Sequence, residues 1–252
     1  MLETRDLTIR FGGHVAVDRV SCAFTPGTLT AIVGPNGAGK TTYFNLISGQ
    51  LRASAGSVHL NGEDITALPA SSRTHRGLGR AFQLTQLFPH LSVLENVRLA
   101  VQSRRHEGLN LWSVWLDHRA TLQTARELLA RVRLAERADE TAASLPHGDQ
   151  RKLEVAMLMA LDPSVYMFDE PTAGMSVDDA PVVLDLIRGL KDQRDKTILL
   201  VEHKMDVVRE LADRIIVLHN GQLVADGEPA EVIASPVVQQ AYLGIAPSEE
   251  AA

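Results

Sequence analysis

Gly34-Pro35-Asn36-Gly37-Ala38-Gly39-Lys40-Thr41 decides how the rest of this chain is read. The stretch matches the pattern G-x-x-x-x-G-K-[S/T]. In that pattern glycines let the backbone curl until successive N–H groups point inward at phosphate oxygens. Residues 29–33, Leu-Thr-Ala-Ile-Val, precede it and read as a short buried strand. After it, a helix opening at Lys40 carries Phe44, Leu46 and Ile47 among polar neighbours, and Gly49 reads as its stop. A strand that passes through a glycine turn into a helix is the context this chemistry needs, because the helix start adds the positive end of its dipole. Lys40 is placed to reach the β- and γ-phosphates and Thr41 to hold Mg²⁺. The motif points to ATP or GTP.

A second apolar run, residues 165–168, ends in Asp169-Glu170 before Pro171. Unpaired charge is costly at the end of a buried strand. Beside a phosphate loop, Asp169 suits an indirect, water-mediated contact to Mg²⁺, and Glu170 suits a group that orients or deprotonates an attacking water. The plainer alternative is an acidic surface turn. A third run, residues 197–201, ends in Glu202-His203, where a histidine can contact a γ-phosphate; taken alone, a surface histidine is the commoner reading. Gln83 means little by itself. Residues 214–218 and 222–225 flank Asn220-Gly221 and read as a hairpin. Residues 91–140 are rich in Leu, Ala and Arg, contain Trp112 and Trp115, and read as a mostly helical insertion. Short apolar strands alternating with helical patterns give an α/β class.

Composition narrows the function classes. The chain has 252 residues, 45% hydrophobic and 22% charged, which argues against disorder. No apolar run approaches the roughly 20 residues of a membrane span. One cysteine, Cys22, excludes an internal disulfide and a cysteine-based zinc site. A net charge of −6 argues against a nucleic-acid partner. The charged N-terminus lacks an apolar core of signal length, so a cytoplasmic protein is expected.

Taken in order, these pieces resemble the ATP-binding subunit of an ABC transporter, from Leu2 to about Gly244. The residues that carry the resemblance are 34–42 (Walker A), Gln83 (Q-loop), Leu145-Pro146-His147-Gly148-Asp149-Gln150 (signature), 165–169 with Glu170 (Walker B), Ala173-Gly174-Met175-Ser176 (D-loop) and His203 (H-loop). The resemblance implies a P-loop NTPase core with an antiparallel β-subdomain and a helical subdomain insertion at about 91–160. It places these in one domain over 1–244, with 245–252 a flexible tail. ATP would be held by Gly34, Pro35, Asn36, Gly37, Ala38, Gly39, Lys40, Thr41 and Thr42. Phe11 would stack on adenine with Val17 nearby; a core strand position is the other reading of Phe11. Mg²⁺ would sit on Thr41, Gln83 and Asp169. Glu170, His203, Lys40 and Gln83 would carry catalysis. Two subunits would pack head to tail, so that His147, Gly148 and Asp149 of one chain face the nucleotide of the other.

The signature departs from the family's common Leu-Ser-Gly-Gly-Gln. Pro146 supplies neither a hydroxyl nor an N–H, so a weaker ATP-driven dimer is expected. Ser176 stands where the D-loop commonly ends in Asp. Residues 77–84, 145–151, 171–176 and Tyr242-Leu243-Gly244 are similar to branched-chain amino acid importer ATPases, and importers of urea or short-chain amides look alike. The resemblance implies transmembrane permease subunits, a second ATPase that is the same chain or a sister, and a periplasmic solute-binding protein. It also implies a place on the cytoplasmic face of the inner membrane. Trp112, Trp115 and Leu116 fall on one helical face, either packing within the insertion or facing the permease. A lipopolysaccharide-export ATPase shares the Tyr-Leu-Gly ending but usually keeps the signature Ser and both glycines. A soluble ABC ATPase of iron–sulfur cluster assembly is the alternative from a different class.

Overall fold

The computed structural model describes residues 1–81, 87–104 and 118–243. The chain divides into two compact units. One takes Met1–Leu78, Ser164–Glu170 and Gln193–Ala252; the other takes Gly79–Pro163 and Pro171–Asp192.

The first unit contains two sheets. Strands β1 (Leu2–Phe11), β2 (His14–Phe24), β4 (Ala55–Leu60) and β5 (Glu63–Asp64) form an antiparallel sheet in the order β2-β1-β4-β5. In the other, β3 (Leu29–Val33) lies between β8 (Thr197–Val201) and β9 (Arg214–His219), parallel to both. β7 (Val165–Asp169) adds to β8 in parallel, and β10 (Gln222–Gly227) closes the other side as an antiparallel hairpin with β9. The strands and hairpin read from the sequence are present within a residue or two. Every residue of β3, β7 and β8 is buried, as a parallel sheet covered on both faces requires. Short strand β6 (Leu78–Ala81) lies where the chain passes from the first unit to the second.

Helix α1 (Lys40–Ser48) buries Tyr43, Phe44, Leu46 and Ile47 in a core shared with Leu2, Phe24, Ile32, Met167 and Leu199. Gly49 ends it in the left-handed conformation, φ +79°, and a Cβ there would meet Arg73 Nε at 2.7 Å. Arg73, on helix α2 (Ala70–His75), is 2% exposed. Its guanidinium donates to the carbonyls of Leu46 (2.7 Å), Ile47 (2.6 Å), Thr66 (2.8 Å) and Leu68 (3.0 Å). It therefore satisfies the orphan carbonyls at the negative end of α1 and ties down the loop before α2.

The second unit is helical. Helices α3 (Val93–Arg104), α4 (His118–Arg131) and α5 (His147–Leu161) pack on one another, and Val97, Val101, Ala125, Leu129, Leu153 and Ala156 are buried. Helix α6 (Ala180–Asp192) follows, burying Val182, Val183, Leu186, Ile187 and Leu190. Helices α7 (Met205–Leu211), α8 (Pro229–Ala234) and α9 (Pro236–Leu243) belong to the first unit. Gln83, Trp112, Trp115 and Leu116 lie outside the described residues.

Arg73→Met is expected to lower unfolding stability by at least about 3 kcal/mol, because it strands several buried carbonyls. Urea unfolding of the full chain checks this; a loss below about 1 kcal/mol would remove Arg73 from that role.

Candidate functional site

Strand register sets the first site. Ile32 of β3 pairs with Val201 of β8, and Val201 pairs with Asp169 of β7. The carboxyl ends of three parallel strands therefore lie level, where open α/β sheets bind ligands. The loop from Gly34, the acids at 169–170 and the Glu202-His203 pair all leave the sheet at this edge.

The loop is built for close backbone approach. Gly34 has φ +151°, and a Cβ there would fall 2.1 Å from the Leu218 carbonyl oxygen. At Gly39, φ is +96° and a Cβ would fall 2.5 Å from the Ala16 carbonyl oxygen. No other residue fits either position. Lys40 is 6% exposed, and its Nζ donates to the carbonyls of Gly34 (2.7 Å) and Pro35 (2.9 Å). Burial lowers its pKa, while Glu170 and then Asp169 oppose that drop and favour the cation.

A cavity of about 370 Å³ opens over the loop, lined by Phe11, His14, Ala16, Asn36, Gly37, Ala38, Gly39, Lys40, Thr41, Thr42, Glu170 and His203. That volume is within the range of small-ligand sites. Phe11 is 51% exposed at the end of β1, so its ring is a cavity wall and not a core residue. Val17 is fully buried in the core; Ala16 lines the cavity in its place, because successive strand residues point to opposite faces. His14 also lines it and was not singled out from sequence. Its only sequence signal is the Gly12-Gly13 turn that returns β2 beside Phe11.

Glu170 stands in the left-handed region, φ +49°, unusual for a non-glycine residue. Its N–H donates to Val201 O at 2.9 Å. Its carboxylate Oε1 is 2.6 Å from His203 Nε2. A carboxylate only accepts, so Nε2 carries the proton. The buried Glu202 carboxylate accepts from the backbone N–H groups of His203 (2.9 Å) and Lys204 (3.3 Å) and fixes the turn that presents His203. Asp169 is 2% exposed at the tip of β7.

The signature residues form a separate cluster in the second unit. Helix α5 begins at His147, with Pro146 as its N-cap. Proline's fixed φ suits a helix entrance, where an N–H is dispensable. Gly148 is thus inside the first turn. The Asp149 carboxylate contacts Lys152 Nζ (2.5 Å) and Arg137 Nη1 (3.4 Å). Lys152 Nζ also donates to Asp179 Oδ1 at 2.8 Å, and Ser176 Oγ donates to Asp179 Oδ2 at 2.7 Å. Lys152 and Asp179 drew no attention in the sequence, because one lies beyond the motif and the other 27 residues away.

A family model described as "ABC transporter" matches residues 17–173. The chain belongs to the ABC transporter family. The high-affinity branched-chain amino acid transport ATP-binding protein BraF of Pseudomonas aeruginosa is 36% identical over 251 residues, covering 97% of this chain and 98% of BraF. The similarly described LivG of Escherichia coli K12 is 36% identical over 249 residues, covering 97% and 98%. A crystal structure of the ADP conformation of an ATP-binding cassette of an ABC transporter superposes with TM-score 0.81 at 30% identity, covering 97% of this chain and 99% of that one. The cassette fold, a P-loop α/β core with an antiparallel sheet and a helical part, is the fold of this family member.

Hydrogen bonds from Lys152 and then Ser176 hold the Asp179 carboxyl below its usual pKa. Burial works against the Lys152 charge, but Asp149 and Asp179 outweigh it and raise its pKa. A depressed carboxylate stabilises the fold above its unfolded pKa and loses that contribution as pH falls through the folded value. The stability gap between wild type and Asp179→Asn is therefore expected to be full at neutral pH and to close below about pH 3.9. Urea titrations across pH check it; a gap that widens in acid would contradict the pairing.

Proposed function

We propose that this chain is the ATP-binding, ATP-hydrolysing subunit that energises a membrane importer, and that the imported solutes are branched-chain amino acids. The observation that carries the reading is the 2.6 Å contact of Glu170 with His203 in the wall of the cavity that also holds Lys40, Thr41 and Phe11. Adenine stacks on the exposed Phe11 ring, and the triphosphate lies along the N–H groups of 36–41. Lys40 leaves the carbonyls of Gly34 and Pro35 for the β- and γ-phosphates. Glu170 accepts a proton from water as its oxygen bonds to the γ-phosphorus, while the bond from that phosphorus to the ADP oxygen breaks. His203, released from Glu170, donates Nε2–H to a γ-phosphate oxygen.

The residues suit Mg²⁺. No group of three or more His, Cys, Asp or Glu gathers as a metal cluster among the described residues. Mg²⁺ commonly takes one or two protein oxygens and completes its shell with phosphate and water. The Thr41 hydroxyl and the Asp169 carboxylate would be those oxygens here, with Gln83 as a further ligand. Mg²⁺, when bound, neutralises charge on the β- and γ-phosphates.

The working cassette spans residues 1–244, with a helical part at about 91–160. It pairs head to tail with a second ATPase subunit, so that His147, Gly148 and Asp149 of one face the γ-phosphate of the other. Permease subunits supply the membrane path, since no helix among the described residues is long and apolar enough to cross a bilayer. The full-length similarity to LivG and BraF supports the solute class and a position on the inner face of the membrane.

Glu170→Gln is expected to keep ATP affinity and lose at least about 100-fold in kcat, while Lys40→Ala loses ATP affinity. Phosphate-release kinetics and fluorescent-nucleotide titration check both, and ordinary turnover in Glu170→Gln would remove that residue from its role. Cells lacking this chain are expected to lose uptake of radiolabelled leucine, isoleucine and valine, with wild type but not Glu170→Gln restoring it. Intact leucine uptake with lost urea uptake would overturn the solute assignment.

A further inference from the structure

His147, which stands where the family's common signature has its first Gly, packs against the loop at 173–176. Gly174 has φ +72°, and a Cβ on it would lie 3.4 Å from His147 Cδ2, so the imidazole packs against bare backbone. Asp149 holds Lys152, and Lys152 in turn holds Asp179. Asp179 and Ser176 bind each other twice: the Ser176 hydroxyl donates to Oδ2 at 2.7 Å, and the Asp179 N–H donates to Ser176 Oγ at 3.1 Å. The same Oδ2 lies 3.0 Å from where a Cβ on Gly148 would stand. A carboxylate is thus pressed against the first turn of α5, the place where the proposed reading brings a γ-phosphate.

Acids outnumber bases in this cluster. Arg137 and Lys152 face Asp149 and Asp179, and Glu140 also reaches Arg137 at 3.7 Å. An incoming phosphate therefore meets a net negative cluster that opposes the helix dipole, and loss of one acid would leave the cluster neutral.

We propose that Asp179 is a positioning residue with an electrostatic gating effect: its carboxylate ties the signature turn to the loop at 173–176 and raises the ATP concentration at which paired chains close. The inference rests on the reading of α5's first turn as the phosphate site for a partner chain. Its two parts separate by substitution. Asp179→Asn keeps an acceptor for Lys152 and an amide for Ser176, and removes only the charge. Asp179→Ala removes the tie as well.

The test uses the full chain carrying Glu170→Gln, titrated with Mg-ATP and followed by light scattering. Nucleotide binding to the single chain is followed separately by a fluorescent ATP analogue. Asp179→Asn is expected to lower the half-saturating ATP for pairing by at least about threefold, and Asp179→Ala to raise it. With Glu170 restored, Asp179→Ala loses kcat. Ser176-x-x-Asp179 also resembles a helix-start cap for α6. If that is its whole role, both substitutions lower the urea midpoint and leave half-saturation unmoved, and the proposal is overturned. It is equally overturned if Asn and Ala move half-saturation the same way. A chain that binds the analogue but never pairs with ATP, either with itself or with a sister ATPase, refutes the phosphate-site reading, and the gate with it.

Discussion

The level alignment of three parallel strand ends is the constraint on which the cavity over the glycine loop depends. Ile32, Val201 and Asp169 lie in one row of the sheet, so a residue or two further along each strand brings the glycine loop, Glu170 and the Glu202-His203 turn to the same edge. A slip of one residue in any pairing would turn every side chain of that strand to the other face. The register is fixed because β3, β7 and β8 are buried throughout and a shift would misplace Met167, Leu199 and Ile32 in the core. Chemistry at the edge is thus held by packing several residues away.

The loop itself couples backbone strain to function. Gly34 and Gly39 press against the carbonyls of Leu218 and Ala16, which leaves no room for side chains. Lys40 bridges that curl by donating to two of the loop's own carbonyls. Glu170 is likewise held in a strained backbone conformation by its N–H bond to Val201, which aims its carboxylate at His203. Strain of this kind persists only where the surroundings over-determine it.

The helical unit shows a different logic. The first turn of α5 carries a chain of ion pairs through Asp149, Lys152 and Asp179. Where the family's common signature uses small and hydroxyl residues, this chain uses an imidazole against Gly174 and a chain of ion pairs. Nucleotide affinity at such a turn is set by the balance of local charge as much as by N–H donors.

Much of this was legible in the residues alone. Gly34–Thr41, Asp169-Glu170 and His203 declare phosphate chemistry because each needs a specific residue type at a fixed spacing, and LTAIV, VYMF and TILLV declare buried strands because only a covered sheet tolerates such runs. Local pattern could not give the places where distant segments meet. Phe11 as a cavity wall and not a core residue, Ala16 facing the cavity in place of Val17, Arg73 sealing the end of α1, and Asp179 reaching Lys152 are outcomes of three-dimensional packing. The sequence determined which chemistry the chain carries, since that resides in residue identity and short spacing. The tertiary structure alone decided which side chains share a surface, since contact between residues tens of positions apart depends on strand register and helix packing that no local window contains.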